Sequence, residues 1–327
     1  MRYLVRRIVF YLVTAWAAIT LNFFLPRMIP GDPVTALLNR GGGTAVRPEA
    51  IEALRKLFGL ETGTPLWQQY LNYWGGLLRG DLGLSFSKYP APVANIIISA
   101  LPWTIGLIGL ATIISFCVGT AIGALIGWRR GTWADNLIPI STFFGSMPYF
   151  WIGILAVALF GTGLGWFPVG HAYDLGLVPT FDGEFIASVL YHGALPALTI
   201  AFSSVAKWIL DMRNQMVTVS SEEYVTVAHA KGLAPLNVIV GYAARNAILP
   251  QISAFSLSLG FVVGGALVME MVFSYPGVGF NLYQAVKSSD YPLMQGAFLI
   301  ITLSVLVFNM IADLVFVLVD PRTRQEA

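Results

Sequence analysis

Few residues of this 327-residue chain have the types and spacing that catalysis requires. No Gly-x-x-x-x-Gly-Lys-Ser/Thr loop and no Gly-Lys dipeptide occurs, so the chain cannot cradle nucleotide phosphates by the P-loop route. Gly-x-Ser-x-Gly and His-Glu-x-x-His are also absent. Cys117 is the only cysteine, and His171, His192 and His229 are too far apart for paired metal ligands. We therefore predict no catalytic residue, metal site or cofactor in this chain.

The most informative polar segment runs from Ser220 to Pro250, between two long apolar runs. Ser220 and Glu223 have the spacing of a capping box, and Gly232 followed by Pro235 is a stop signal. These residues predict a helix of about 11 residues, roughly 16 Å long, which is too short to cross a bilayer. A short polar helix between two membrane spans is well suited to binding a partner protein.

Composition places most of the chain in lipid. Hydrophobic residues make up 56% and charged residues 11%, and the mean hydropathy is +0.71, whereas a soluble domain is about one quarter charged. The formal net charge is +2 without a basic block, which argues against nucleic-acid binding. We predict an all-α integral membrane protein.

Six apolar runs are long enough to cross a membrane. They are residues 8–29, 102–128, 136–162, 188–210, 246–270 and 293–318. In the first run, the uninterrupted apolar part from Ile8 to Leu25 is followed by Pro-Arg-Met-Ile-Pro without a small-x-small cleavage site, so we expect an uncleaved span rather than a signal peptide.

The distribution of Lys and Arg predicts the orientation of these spans. Four basic clusters fall on one side of a six-span chain, and short basic loops stay in the cytoplasm. The clusters are Arg2/Arg6/Arg7, Arg129/Arg130, Arg213/Lys231/Arg245 and Arg322/Arg324. Both termini are then cytoplasmic, and loop 30–98 is external. Two segments of that loop, 51–58 and 67–78, have helical spacing, which predicts a small ordered cap.

Small residues predict where two helices approach closely. Gly119, Gly123 and Gly127 form a double Gly-x-x-x-Gly strip in the second span, and Gly260 and Gly264 repeat the spacing in the fifth. Such strips let helix backbones pack closely in lipid.

The polar segment also resembles a known signature, the "EAA" loop of ABC-importer permeases in its dipeptide/oligopeptide/nickel variant. The similar residues are Glu223-Tyr224-Val225, Ala228, Ala230-Lys231-Gly232-Leu233, Arg245-Asn246 and Leu249-Pro250. The resemblance extends along the chain through Pro30-Gly31-Asp32-Pro33, Phe58-Gly59-Leu60, Gln69-Tyr70, Arg79-Gly80-Asp81-Leu82-Gly83, Pro148-Tyr149-Phe150-Trp151, Asp290-Tyr291-Pro292, Asn309, Asp313 and Asp320-Pro321-Arg322. The long loop after the first span favours the first-permease type.

The resemblance implies a specific organisation. Residues 1–29 would form the cytoplasmic N-terminus and first span, 30–98 the external loop, 99–319 the permease core with a coupling loop at about 211–245, and 320–327 a cytoplasmic tail. The short helix would be the coupling helix that docks into a groove of an ATPase subunit. Its predicted coupling residues are Glu222, Glu223, Tyr224, Val225, Ala228, His229, Lys231 and Gly232. Predicted substrate-pathway residues are Met147, Tyr149, Phe150 and Ser256.

The resemblance also implies partners: a second homologous permease, two ATPase subunits carrying ATP and Mg²⁺, and an external solute-binding protein. The expected location is a bacterial or archaeal cytoplasmic membrane. Peptides are the commonest cargo of such permeases, and oligosaccharides, nickel complexes and glutathione remain alternatives. The outer helix with Trp67, Tyr70, Tyr73 and Trp74 would receive the binding protein or rest at the membrane interface.

Several positions depart from the family pattern. Thr226, Val227 and His229 replace arginine, threonine and arginine of the usual Tyr-Val-Arg-Thr-Ala-Arg-Ala-Lys-Gly-Leu segment, which removes two positive charges. Such charges contribute to the choice of partner. Glu270 and Asp313 are acids in or near predicted spans, and the sequence assigns neither a role.

A secondary transporter that works without ATP is the rival from another functional class. It would require a chain of intramembrane acids, or broken helices in inverted repeats, and the sequence shows neither clearly. Co-purification of ATPases and a second permease from native membranes would favour the ABC importer.

The predicted topology can be tested by labelling. In a Cys117→Ala background, a single cysteine at Glu52 is expected to react with a membrane-impermeant thiol reagent added to intact cells. A single cysteine at Gln325 is expected to remain unlabelled until the cells are opened. The reverse pattern would contradict the six-span orientation.

Overall fold

The structure, a computed structural model, describes residues 2–28, 64–260, 262 and 267–319. Twelve α-helices lie in these ranges: α1 Arg2–Met28, α2 Leu66–Leu78, α3 Val93–Trp128, α4 Ile138–Gly145, α5 Tyr149–Ala156, α6 Gly183–Ser220, α7 Glu223–Ala230, α8 Pro235–Val238, α9 Arg245–Gly260, α10 Leu267–Val272, α11 Val278–Ser288 and α12 Tyr291–Val319. A 3₁₀ turn, Trp133–Leu137, precedes α4, and π-helical segments Val157–Gly163 and Ile239–Ala244 continue α5 and α8.

Helices account for all the regular secondary structure of these ranges apart from one isolated bridge between Leu84 and Pro92, which confirms the predicted all-α class. Within the described residues, four helical stretches are long and apolar enough to cross a membrane: Arg6–Phe24, Val93–Trp128, Gly183–Ser220 and Tyr291–Ile311. A fifth would be the pair Trp133–Gly145 and Tyr149–Gly163, which is bent by 89° at its break.

The predicted count of six spans stays a prediction. The fifth predicted span, 246–270, corresponds to α9 and α10, and residues 261 and 263–266 between them lie outside the described residues. Gly264, the predicted loop helix 51–58 and the tail 320–327 also lie outside them. The second predicted outer helix, 67–78, is confirmed as α2.

The chain divides into two compact units. The first unit comprises residues 1–104 and 276–306, and in it α2 packs against α1 through aromatic rings. Phe23 is fully buried, with its ring 5.2 Å from that of Tyr70 and 5.6 Å from that of Tyr73. Thr20 Oγ1 lies 2.7 Å from the Tyr70 hydroxyl. Two rings of the predicted aromatic helix therefore hold α2 on α1, whereas Trp67 is exposed.

A buried carboxylate joins the loop after α2 to the start of α12 in the same unit. Asp290 is fully buried, and its Oδ2 accepts hydrogen bonds from the hydroxyl of Ser85 and from the main-chain N–H and hydroxyl of Ser87 at 2.5–2.8 Å. Its Oδ1 accepts from the main-chain N–H of Leu293 at 3.2 Å, as an N-cap residue does. Four donors thus stabilise one buried charge.

The second unit, residues 105–275 and 307–327, is organised by the glycine strip of α3. A Cβ added at Gly119 would lie 2.5 Å from Trp208 Cβ, one at Gly123 2.5 Å from the Ile209 carbonyl oxygen, and one at Gly127 2.6 Å from Met216 Cβ. The three glycines therefore allow α3 and α6 to touch at three points spread over about two helical turns. The predicted close approach of the second span is confirmed, and its partner is the fourth.

Replacement of Gly123 tests this close approach. Gly123→Ala is expected to destabilise the protein by about 1–3 kcal/mol, because the new methyl group must push the α6 backbone away. Gly109→Ala is the matched control on the same helix: nothing lies within 4 Å of its added Cβ, so the higher helix propensity of alanine stabilises by up to about 1 kcal/mol. Thermal unfolding in detergent measures both, and equal effects of the two substitutions would contradict the packing.

Asp290→Asn tests the buried carboxylate. Each carboxylate oxygen accepts one main-chain N–H, so the amide NH₂ of asparagine must face the N–H of Ser87 or that of Leu293 in either orientation. We expect a loss of about 1–3 kcal/mol in the free energy of unfolding. Ser87→Ala removes one hydroxyl donor but keeps the carboxylate, and a smaller loss of about 1 kcal/mol is expected. Wild-type stability of Asp290→Asn would show that the carboxylate is not needed.

Candidate functional site

The short helix predicted in the polar segment exists as α7, but it begins differently. Ser220 is the last residue of α6, and its hydroxyl donates to the Met216 carbonyl one turn earlier at 2.6 Å. The predicted capping box of Ser220 and Glu223 is therefore wrong, because the preceding span continues into it. Glu222 is the N-cap of α7, without a side-chain cap bond, and α7 has eight residues rather than about 11.

Gly232 and Pro235 follow the C-terminal end of α7, as the sequence predicts. Gly232 has φ = +71°, in the left-handed region that glycine adopts without a steric cost. Its N–H donates to the His229 carbonyl at 2.9 Å, and Lys231 is the C-cap. Pro235 then opens α8 at its first position, where proline is tolerated.

One face of α7 is buried in the second unit. Val225 and Ala228 are each 1% exposed, and they pack into a cluster of buried residues from α6, the end of α8, the following π-helical segment and α9. The other members are Met212, Met216, Val238, Ala243 and Ala247. Ala228, one of the predicted coupling residues, is thus almost wholly covered by the protein's own side chains, although it also lines the cleft described next. Its part in coupling stays a prediction.

The opposite face of α7 is exposed and carries both apolar and charged groups. Tyr224 is 38% and Val227 51% exposed, and Glu223 and Lys231 lie at the two ends of the same face. Together with Tyr242 of the π-helical segment they line a shallow cleft of about 410 Å³. The acid at the N-terminus and the base at the C-terminus also complement the helix dipole. The cleft and its rim are called the α7 surface below.

Two contacts tie this region to the end of α3 and the turn that follows it. The ring of His229 stacks on that of Trp128, the last residue of α3, with centroids 5.6 Å apart and planes 21° from parallel. Arg213 of α6 forms an ion pair with Asp135 at 3.2 Å. The Gly131 amide N–H also donates to the Asp135 carboxylate. Asp135 therefore links the turn that follows Arg129 and Arg130 to Arg213 of α6.

The predicted pathway residues occupy two places in the second unit. Met147, Tyr149 and Phe150 lie at the bend between α4 and α5, where Tyr149 is the first residue of α5. Ser256 lies on α9, and its hydroxyl donates to the Ile252 carbonyl one turn earlier at 3.0 Å. Their part in transport stays a prediction.

Sequence reasoning missed three parts of this site. Trp128 ends a predicted span, and nothing in its local sequence indicates a partner that lies far along the chain. Tyr242 was read as part of a loop, although it lines the cleft. Leu236 and Val240, spaced as i and i+4, are also exposed apolar residues soon after α7, and this spacing is a signal that could have been found.

Comparison with known proteins identifies the family. Residues 119–325 match the family described as "Binding-protein-dependent transport system inner membrane component", and residues 1–108 match its N-terminal companion. The chain belongs to this family of transport permeases.

Curated transport permeases from three bacteria are similar to the chain over nearly its full length and theirs. The chain is 33% identical to the di/tripeptide transport system permease protein of Pseudomonas aeruginosa, over 99% of both chains. It is also 33% identical to the dipeptide transport system permease protein of Escherichia coli, over 100% of this chain and 99% of that one. Identity to the oligopeptide transport system permease protein of Bacillus subtilis is 31% over 98% of both.

A pair of alanines on α7 tests the assignment of its two faces. Ala228→Leu is expected to destabilise the protein by about 1–3 kcal/mol, because the added carbons have no space in the cluster under α7. Ala230→Leu, on the exposed face, is expected to change stability by less than about 0.5 kcal/mol. Thermal unfolding in detergent separates the two variants. Equal stability would mean that Ala228 faces outward.

Proposed function

We propose that this chain is the first permease subunit of an ATP-driven, binding-protein-dependent importer of oligopeptides. The α7 surface is the observation that carries the proposal. It is an exposed apolar cleft with one charged residue at each end, on a helix that is too short to span a membrane. Buried Val225 and Ala228 pack this helix onto the core of the second unit. A partner that docks there pushes directly on α6 and α9.

The cytoplasmic position of this surface follows from charge. Arg129 and Arg130 lie beside the turn that holds Asp135, and Asp135 is paired with Arg213 below α7. Three basic positions therefore share one side of the second unit, and the positive-inside rule assigns that side to the cytoplasm. Six spans result if the bent pair Trp133–Gly145 and Tyr149–Gly163 is the third and α9 with α10 is the fifth. Both termini are then cytoplasmic.

Energy must come from another subunit, because the chain has no P-loop. In the proposed assembly two ATPase subunits bind ATP and Mg²⁺ and dock on the α7 surfaces of this chain and of a second permease. Reversing a conformational equilibrium from 1:99 to 99:1 requires about 5.5 kcal/mol of differential binding. A docked helix that is packed into the core of its unit can transmit such a bias.

The peptide cargo is proposed from the relatives. The permeases of Pseudomonas aeruginosa, Escherichia coli and Bacillus subtilis are named for di/tripeptide, dipeptide and oligopeptide transport. An external binding protein would deliver the peptide to a pathway between the two permeases. Met147, Tyr149 and Phe150, at the bend between α4 and α5, are the proposed pathway residues together with Ser256.

Two equally exposed valines test the docking surface. Val227→Glu places a charge in the apolar cleft, and we expect the ATPase subunits to be lost from the purified complex and uptake of labelled peptide to stop. Val169→Glu is the matched control, because Val169 is 52% exposed, but lies in the loop between the third and fourth predicted spans, on the opposite side. Each variant should keep the second permease.

The outcome that contradicts the proposal is a Val227→Glu complex with its full complement of ATPase subunits and wild-type uptake. Loss of the ATPases in both variants would show general damage rather than a docking site. Thermal unfolding of the isolated chain, measured in parallel, excludes misfolding as the cause, since both positions are exposed.

A further inference from the structure

The stack of His229 on Trp128 joins α7 to the end of α3. The ring centroids are 5.6 Å apart and the planes are inclined by 21°, within the range of offset-stacked rings. Trp128 also packs, together with Ala124, against the buried cluster under α7. The contact is therefore continuous with the core of the second unit and is not an isolated surface contact.

The position of His229 on α7 separates its role from that of the α7 surface. Val225 and His229 are one helical turn apart, so the imidazole lies at the edge of the buried face. Tyr224, Val227 and Lys231 line the cleft toward Tyr242, whereas His229 does not line it. One flank of α7 is thus open to a partner, and the other flank rests on α3.

The stack adds α3 to the elements that contact α7. The backbone of α7 lies close to α6, α8 and the π-helical segment Ile239–Ala244. Motion of α7 reaches those elements through aliphatic packing, which tolerates sliding. Two stacked planes instead resist tilting, because contact area is lost as soon as the planes separate.

We propose that the Trp128–His229 stack positions α7 against α3, so that displacement of α7 by a docked ATPase moves α3 together with α6. This inference rests on the proposed docking function of the α7 surface. His229 is then a positioning residue that acts through Trp128. The stacking contact requires a planar side chain at position 229. A guanidinium also stacks on indole, so arginine can replace histidine there.

The test uses the complete transporter, with both permeases, the ATPases and the binding protein, in nanodiscs. The readout is the ratio of ATP hydrolysis with and without peptide-loaded binding protein, per bound ATPase subunit. His229→Ala and Trp128→Ala are each expected to lower this ratio at least about five-fold, the lower end of typical couplings between sites. The double variant should be no worse than either single variant, since all three lack the same contact.

Planar side chains at position 229 should restore the stimulation of ATP hydrolysis, which a merely structural role of His229 would not predict. His229→Phe and His229→Arg are expected to restore the ratio to within about two-fold of wild type, whereas His229→Leu, of similar bulk, should behave like His229→Ala. Wild-type ratios in His229→Ala and Trp128→Ala overturn the inference. Equal impairment of His229→Phe, His229→Arg and His229→Ala overturns it also, because it would assign the effect to the imidazole nitrogens.

Failure of this inference is distinguishable from failure of the docking proposal. If Val227→Glu releases the ATPases while His229→Ala couples normally, docking stands and the stack has no role in coupling. If Val227→Glu retains the ATPases and full coupling, the docking proposal fails, and the positioning role that rests on it fails too.

Discussion

The contact on which the second unit depends is the close approach of α3 to α6. Gly119, Gly123 and Gly127 remove the side chains that would keep the two backbones apart, and in lipid such packing takes the place of the hydrophobic drive. Because the strip continues to Gly127, the ends of the two helices arrive side by side. The ion pair of Arg213 with Asp135 and the buried Met212 and Met216 lie at these ends.

The position of α7 is a consequence of this arrangement. The polypeptide leaves α6 at Ser220 and turns within two residues, so α7 falls directly over the cluster formed by α6, the π-helical segment and α9. Burial of Val225 and Ala228 fixes the rotation of α7 about its axis. That rotation exposes Tyr224, Val227 and Lys231 and turns His229 toward Trp128. The exposed α7 surface thus results from helix packing.

Structural features that depend on residues close together in the chain could be predicted from the sequence. Gly232 needs a left-handed conformation that its own turn imposes, and the glycine strip has a fixed spacing along one helix face. The start of α7 could not be predicted, because Ser220 satisfies a carbonyl of the preceding span instead of capping the next helix. The burial of Ala228 and the stacking of His229 depend on residues far along the chain. Three of the four hydrogen bonds to Asp290 likewise join segments that are far apart in sequence.

The most direct test of the central claim is photo-crosslinking from the α7 surface in native membranes. A photoreactive amino acid placed at Val227 is expected to give an adduct with a cytoplasmic ATPase subunit, identified by mass spectrometry. The same amino acid at Phe181, which is fully exposed and lies before the start of α6, at the other end of that helix from α7, should give no such adduct. Adducts of position 227 with lipid alone, in a transporter that is active and fully assembled, would contradict the claim that α7 is the docking element.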